Sequence, residues 1–124
     1  MYTANGNEDD LATRRAAYAQ SLERALADVV AQLRAMPTVH RVILFGSYAD
    51  GRRDLFTDLD LLVVMESDLD FVARIAALYQ QLSVGVDLDL LAYTPEELER
   101  ARSHGLVRRA LEMGRVLYAK NAAG

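Results

Sequence analysis

The chain has 124 residues, a net charge of −4 and no cysteine, with 52% hydrophobic and 26% charged residues. That size and balance suit one domain with a real core and argue against wholesale disorder. The missing cysteine excludes a disulfide scaffold and thiolate-ligated zinc and fits a reducing, cytoplasmic setting; the acidic balance argues against general nucleic-acid binding while allowing a local basic pocket.

The opening MYTANGNEDD is polar and acidic, without the basic and apolar regions of a signal peptide, and residues 1–8 read as a loose tail before a domain at 9–120. No uncharged apolar run approaches the roughly 18–20 residues of a membrane span. From about Asp9 to Met36, Leu11, Tyr18, Leu22, Leu26, Val29, Leu33 and Met36 mark one face of a long helix, which Pro37 stops. Val42 to Phe45 and Leu61 to Met65 are continuous apolar runs, and the strands that contain them, His40 to Phe45 and Leu59 to Met65, read as buried. Ser67 and Asp68 can cap a second helix with Phe71, Val72, Ile75, Leu78, Tyr79 and Leu82 inside, closed by Gly85.

Val86 to Tyr93 reads as a third strand. Thr94-Pro95-Glu96-Glu97 follows, a capping box with proline at the first helical position. One short helix runs to about Ser103, another spans Leu106 to Met113 before Gly114, and Arg115 to Ala119 can close the sheet. The order predicts an α/β or α+β fold around a small mixed sheet with flanking helices.

The chemistry lies in GSYADGRRDLFTDLD, residues 46–60, between the first two strands. Asp58 and Asp60 alternate with Leu59 and so share a face; Asp87 and Asp89 do the same on the third strand. Three or four converging carboxylates would repel one another unless one took up a proton or a divalent cation intervened. Oxygen-only ligands favour Mg2+ or Mn2+, and paired metals are a recurrent device for displacement at phosphorus. Gly46 admits a phosphate to the backbone and Ser47 can donate to it. The GKS/GKT ending of a Walker loop is missing. A lone Asp-x-Asp is ordinarily a solvated turn, and Gly-Ser alone is an ordinary one. It is their combination that carries weight.

Gly46-Ser47, ten residues, then Asp58-x-Asp60 resembles the signature of the polymerase β-type nucleotidyltransferase superfamily. In detail the stretch looks like its minimal nucleotidyltransferase members, over roughly Val39 to Tyr118. The resemblance implies that Gly46 and Ser47 hold the triphosphate of a nucleotide and that Asp58 and Asp60 ligate two metals. The third carboxylate would be Asp89, which LLAYTPEE follows, with Asp87 as its rival on the same face. It would help ligate the metal that activates the acceptor hydroxyl, and it can accept the hydroxyl's proton. Arg52 or Arg53 would stabilise phosphate charge bidentately, and at least one of them is expected to be an ordinary exposed loop arginine.

The implied activity is Mg2+-dependent transfer of an NMP, most plausibly AMP from ATP, to an acceptor hydroxyl with release of pyrophosphate. Such proteins often accompany a small helical partner of the HEPN type, as antitoxins, in some cases by adenylylating the toxin. The competing reading is a non-catalytic module of the same fold that neutralises or scaffolds a partner. Retention of the whole acidic set argues against it. A small-molecule nucleotidyltransferase of the aminoglycoside-modifying sort would need more chain, or a dimer, to bury its substrate. Acceptor, base preference and oligomeric state stay open at the level of sequence.

Overall fold

The computed structural model describes residues 4–120, with side chains described from residue 10 onward. Its elements are α1 (Ala4–Arg34), β1 (Val39–Phe45), α2 (Gly46–Ala49), β2 (Leu59–Met65), α3 (Phe71–Gln81), β3 (Leu88–Tyr93), α4 (Pro95–Ala101), α5 (Gly105–Met113) and β4 (Arg115–Ala119). The four strands form one sheet in the order β3-β2-β1-β4. β1 runs antiparallel to β2 and β4, whereas β2 and β3 are parallel, with α3 between them in the chain. This is the expected mixed α/β class. Among the described residues, no helix is long and apolar enough to cross a membrane.

Alternation sorts the strand residues between two faces. On one, Val42 and Leu44, then Leu59, Leu61, Val63 and Met65, then Leu90 and Ala92 pack with Leu22, Ala25, Val29 and Leu33 of α1 and Leu78 of α3. On the other, Ile43, Leu62 and Val64 pack with Val107 and Ala110 of α5, with Leu98 of α4 at the border. Helices over both faces explain why β2 is apolar without a break from Leu61 to Met65. Burying each such side chain stabilises by roughly 1.5–3 kcal/mol, and β2 buries Leu59, Leu61, Leu62 and Val63 completely. Polar groups at the start of β2 are therefore held by the most firmly packed element of the fold.

Several details depart from the sequence-based expectation. α1 begins at Ala4, so the stretch at 1–8 expected as a tail is helical from residue 4, and residues 1–3 lie outside those described. No proline interrupts the chain before Pro37, and a nucleated helix propagates easily through such sequence. Leu11, expected on the inner face, is 39% exposed, because packing against the core starts only at Tyr18. β3 begins at Leu88 rather than Val86.

The largest departure concerns α3. Its cap is Asp70, which accepts from Ala73 N at 2.9 Å; Ser67 instead accepts from Leu69 N in the preceding turn. Val72 and Tyr79, expected inside, are exposed, and Arg74 is buried at 2% exposure. The helix face is turned so that Arg74 and Leu78, one turn apart, point inward. Arg74 Nη1 donates to Glu97 Oε1 at 2.6 Å and to the Ala92 carbonyl at 2.7 Å. Its Nη2 donates to Glu97 Oε2 at 3.1 Å and to the Leu69 carbonyl at 2.9 Å. Glu97 also closes the expected capping box with Thr94. One ion pair thus joins the start of α3, the end of β3 and the start of α4. Tyr79 instead covers the outer edge of β3, its hydroxyl donating to Leu88 O and accepting from Leu90 N.

Candidate active site

β1 ends at Phe45, which pairs with Asp60 of β2, and Asp60 pairs in turn with Asp89 of β3. The end of one strand and the starts of two others therefore meet in a single row. Gly46 follows directly with φ +79°, a conformation that favours glycine, and opens the single turn of α2. A Cβ placed on Gly46 would fall 2.9 Å from Cγ of Asp60, closer than real Cβ contacts come. Only glycine lets the backbone lie this near the carboxylate. Asp60 and Asp89 belong to the same sheet face as Leu62, Val64 and Tyr93, the face that α5 covers further along.

The electrostatics follow from this crowding. The Asp60 carboxyl is pushed up to about 6, first by burial, then by the charge of Asp89 and a side-chain hydrogen bond with it, and least by the charge of Asp58. No cationic group offsets these influences. Asp60 and Asp89 thus form a contacting pair able to share a proton, with Asp58 as a more distant neighbour. Among the described residues, no three His, Cys, Asp or Glu side chains already stand together as a metal cage. Asp87 does not act on Asp60. Its charge falls instead on Tyr18, whose hydroxyl is pushed up by burial first, then by Asp58, Asp87 and Asp54. Asp87 precedes β3, and its carbonyl accepts from Leu59 N at 3.3 Å. Alternation made the two residues equivalent; strand register puts Asp89, not Asp87, beside Asp60.

The loop between α2 and β2 is internally braced. Asp54 Oδ1 accepts from Phe56 N at 2.8 Å and from Thr57 Oγ1 at 3.2 Å, while Thr57 Oγ1 accepts from Asp54 N at 3.0 Å. Thr57 is fully buried, and Tyr18 donates to its carbonyl at 2.8 Å, fixing the approach to Asp58. Both loop arginines are engaged. Arg52 Nε donates to Asp54 Oδ2 at 2.7 Å. Arg53 lies 3.5 Å over the Tyr48 ring and donates to the Tyr48 and Arg52 carbonyls. Tyr48 itself is buried, as packing under the loop requires.

A pH dependence follows. In the unfolded chain an Asp releases its proton near pH ~3.9, whereas folded Asp60 holds its proton up to about pH 6. Between these values the native state binds more protons, so this group lowers stability as pH rises from about 4 to about 6. Glu97 and Asp54, held low by hydrogen bonds from Arg74 and Arg52, act in the opposite sense. The readout is therefore the difference between wild type and Asp60→Asn in metal-free urea unfolding. That difference should grow in favour of the variant across this window; parallel profiles would contradict the crowding.

Comparison with known proteins places the fold in a family. A family model described as "Nucleotidyltransferase domain" matches residues 23–118. A Methanocaldococcus jannaschii protein named as a candidate protein adenylyltransferase is 32% identical over 98 residues, covering 77% of this chain and 97% of that one. A solved structure of a candidate nucleotidyltransferase from Sulfolobus solfataricus aligns with TM-score 0.57 at 19% identity, over 82% of this chain and 86% of that one, a likeness of fold. A chain from a mutant form of the MntA–HpeT toxin–antitoxin aligns with TM-score 0.50 at 27% identity, over 77% of this chain and 72% of that one.

Proposed function

The chain belongs to the nucleotidyltransferase domain family and is a nucleotidyl-transfer enzyme; from that premise we propose that it moves AMP from ATP to a hydroxyl of a partner protein, with Mg2+ as cofactor. The observation that carries this reading is the row Gly46–Asp60–Asp89, two carboxylates in register on neighbouring strands beside a backbone that a side chain would obstruct. Its donors are all oxygen, no cation is among the influences on Asp60, and a hard divalent ion between the carboxylates relieves their crowding.

Asp58, Asp60 and Asp89 would hold the ions, which on binding lower the acceptor hydroxyl's pKa and neutralise charge developing on the phosphates. Gly46 brings its backbone against the triphosphate, and Ser47 offers a hydroxyl. Arg52 keeps its Nη groups for a phosphate oxygen while Nε stays on Asp54. Asp89 accepts the acceptor's proton as the hydroxyl oxygen bonds to the α-phosphorus. The bond from that phosphorus to the bridging oxygen breaks, and pyrophosphate leaves.

The acceptor class rests on the relatives: one is named for protein adenylylation, and another belongs to a toxin–antitoxin pair. They support a protein acceptor, and the partner in this reading is a small helical protein of the HEPN type, adenylylated and so neutralised in the cytoplasm.

Metal-dependent nucleotide binding tests the premise. A native-state ligand at about 100 times its Kd adds about 2.7 kcal/mol, roughly 10 °C in Tm for a chain of this size. ATP should give such a shift with Mg2+ and little with EDTA. Equal shifts in the two buffers would remove the metal from the site.

A further inference from the structure

Beside the carboxylate row, a second recess opens between α2 and α5. It has a volume of about 100 Å³, and its lining includes Gly46, Asp50, Arg109, Met113 and Gly114. That is the room of about three waters, enough for one phosphoryl group and too little for a nucleoside. Gly46 thus faces two ways, toward Asp60 on one side and into this recess on the other. Gly114 also lines it, packed so tightly that a Cβ there would lie 2.7 Å from Ile43 Cγ2.

Arg109 is the one cation in that lining. Both Arg108 and Arg109 are exposed on α5, but among the described residues Arg109 makes no ion pair, whereas Arg108 is held by Glu112 at 3.0 Å. Of the two arginines of the Gly46 loop, Arg53 is engaged by Tyr48, and Arg52, with Nε on Asp54, has only its Nη groups for the phosphates. The charge balance calls for another cation. Two divalent ions bring four positive charges against three carboxylates and about four negative charges on a triphosphate, leaving about three unmatched. An arginine suits a terminal phosphate, since its planar fork can donate two parallel hydrogen bonds.

We infer that Arg109 binds the terminal phosphate of the donor nucleotide in the recess beside Gly46. The inference rests on the nucleotidyl-transfer reading and deepens it: specificity for a triphosphate over a diphosphate or monophosphate resides on α5, outside the Gly-Ser loop.

The test is binding of Mg-ATP, Mg-ADP and AMP to the full chain by calorimetry, for wild type, Arg109→Ala, Arg109→Lys and Arg108→Ala. Arg109→Ala should weaken Mg-ATP about tenfold, the scale of one charge-assisted contact, and leave AMP unchanged. Arg109→Lys should recover part of the loss, and Arg108→Ala should match wild type. An equal loss on AMP and ATP, an equal loss in Arg108→Ala, or recovery of ATP affinity when Asp50→Asn is added to Arg109→Ala would overturn the assignment. That last outcome would show Arg109 serving only to offset Asp50. Wild-type protein that binds no Mg-ATP would instead bring down the underlying functional reading.

Discussion

Asp60→Asn should lower nucleotidyl transfer by a hundredfold or more while the protein stays folded. In the proposed site the change takes one anionic ligand from the set with Asp58 and Asp89 and so several kcal/mol of stabilisation at the phosphates, and each ~1.4 kcal/mol is a factor of ten in rate. The fold does not suffer, because Asp60 is only half-buried and the substitution relieves its repulsion with Asp89. Metal-free Tm should therefore hold or rise even as activity disappears. Asp89→Ala should be nearly as damaging, because Asp89 is the residue in register with Asp60. Asp87→Ala should retain most activity, since Asp87 acts on Tyr18 rather than on Asp60. Undiminished turnover in Asp60→Asn would sink the assignment.

Arg74→Met should give the reverse pattern, a large loss of stability from a residue away from the carboxylate row. It strands the Glu97 carboxylate and leaves the Leu69 and Ala92 carbonyls without their donor. Breaking a buried pair from one side costs about 3–5 kcal/mol. The lower end applies here, because the Glu97 side chain keeps 27% exposure. The expected fall in Tm is roughly 10 °C or more at neutral pH. Glu97 is held below the usual carboxylate range chiefly by the hydrogen bond from Arg74. The pair's contribution is thus present above the unfolded carboxylate pKa and disappears as pH falls, so wild type and variant converge in acid. Adding Glu97→Gln to Arg74→Met should cost less than the sum of the single changes. A Tm within about 2 °C of wild type for Arg74→Met would show that the pair does not hold these elements together.

β2 was legible in the sequence to the residue, because the apolar run Leu61–Met65, preceded by Leu59 and bounded by polar turns, has few alternatives once both faces are covered. The Thr94–Glu97 box was equally plain, since capping is local chemistry. What sequence could not supply was anything set by pairing between distant strands. Asp87 and Asp89 share one alternation class, and only the register of β3 against β2 separates them. Arg74 escaped for a related reason: a charged residue on a helix reads as outward-facing until a partner is found, and Glu97 lies 23 positions away. A signal was present, because Arg74 falls between Phe71 and Leu78 at helical spacing on the face expected inside. Arg109 gave no signal at all, as the recess it lines exists only after α5 has docked beside Gly46.

The central claim, that this site transfers a nucleotidyl group, is tested most directly by the position of the label in ATP. The protein is co-expressed and purified with the product of its neighbouring gene, then incubated with Mg2+ and ATP labelled at either the α- or the γ-phosphorus. Covalent label should reach the partner from the α-position only, and should vanish with EDTA and in Asp60→Asn. Label arriving from the γ-position, or α-label undiminished in Asp60→Asn, would contradict it.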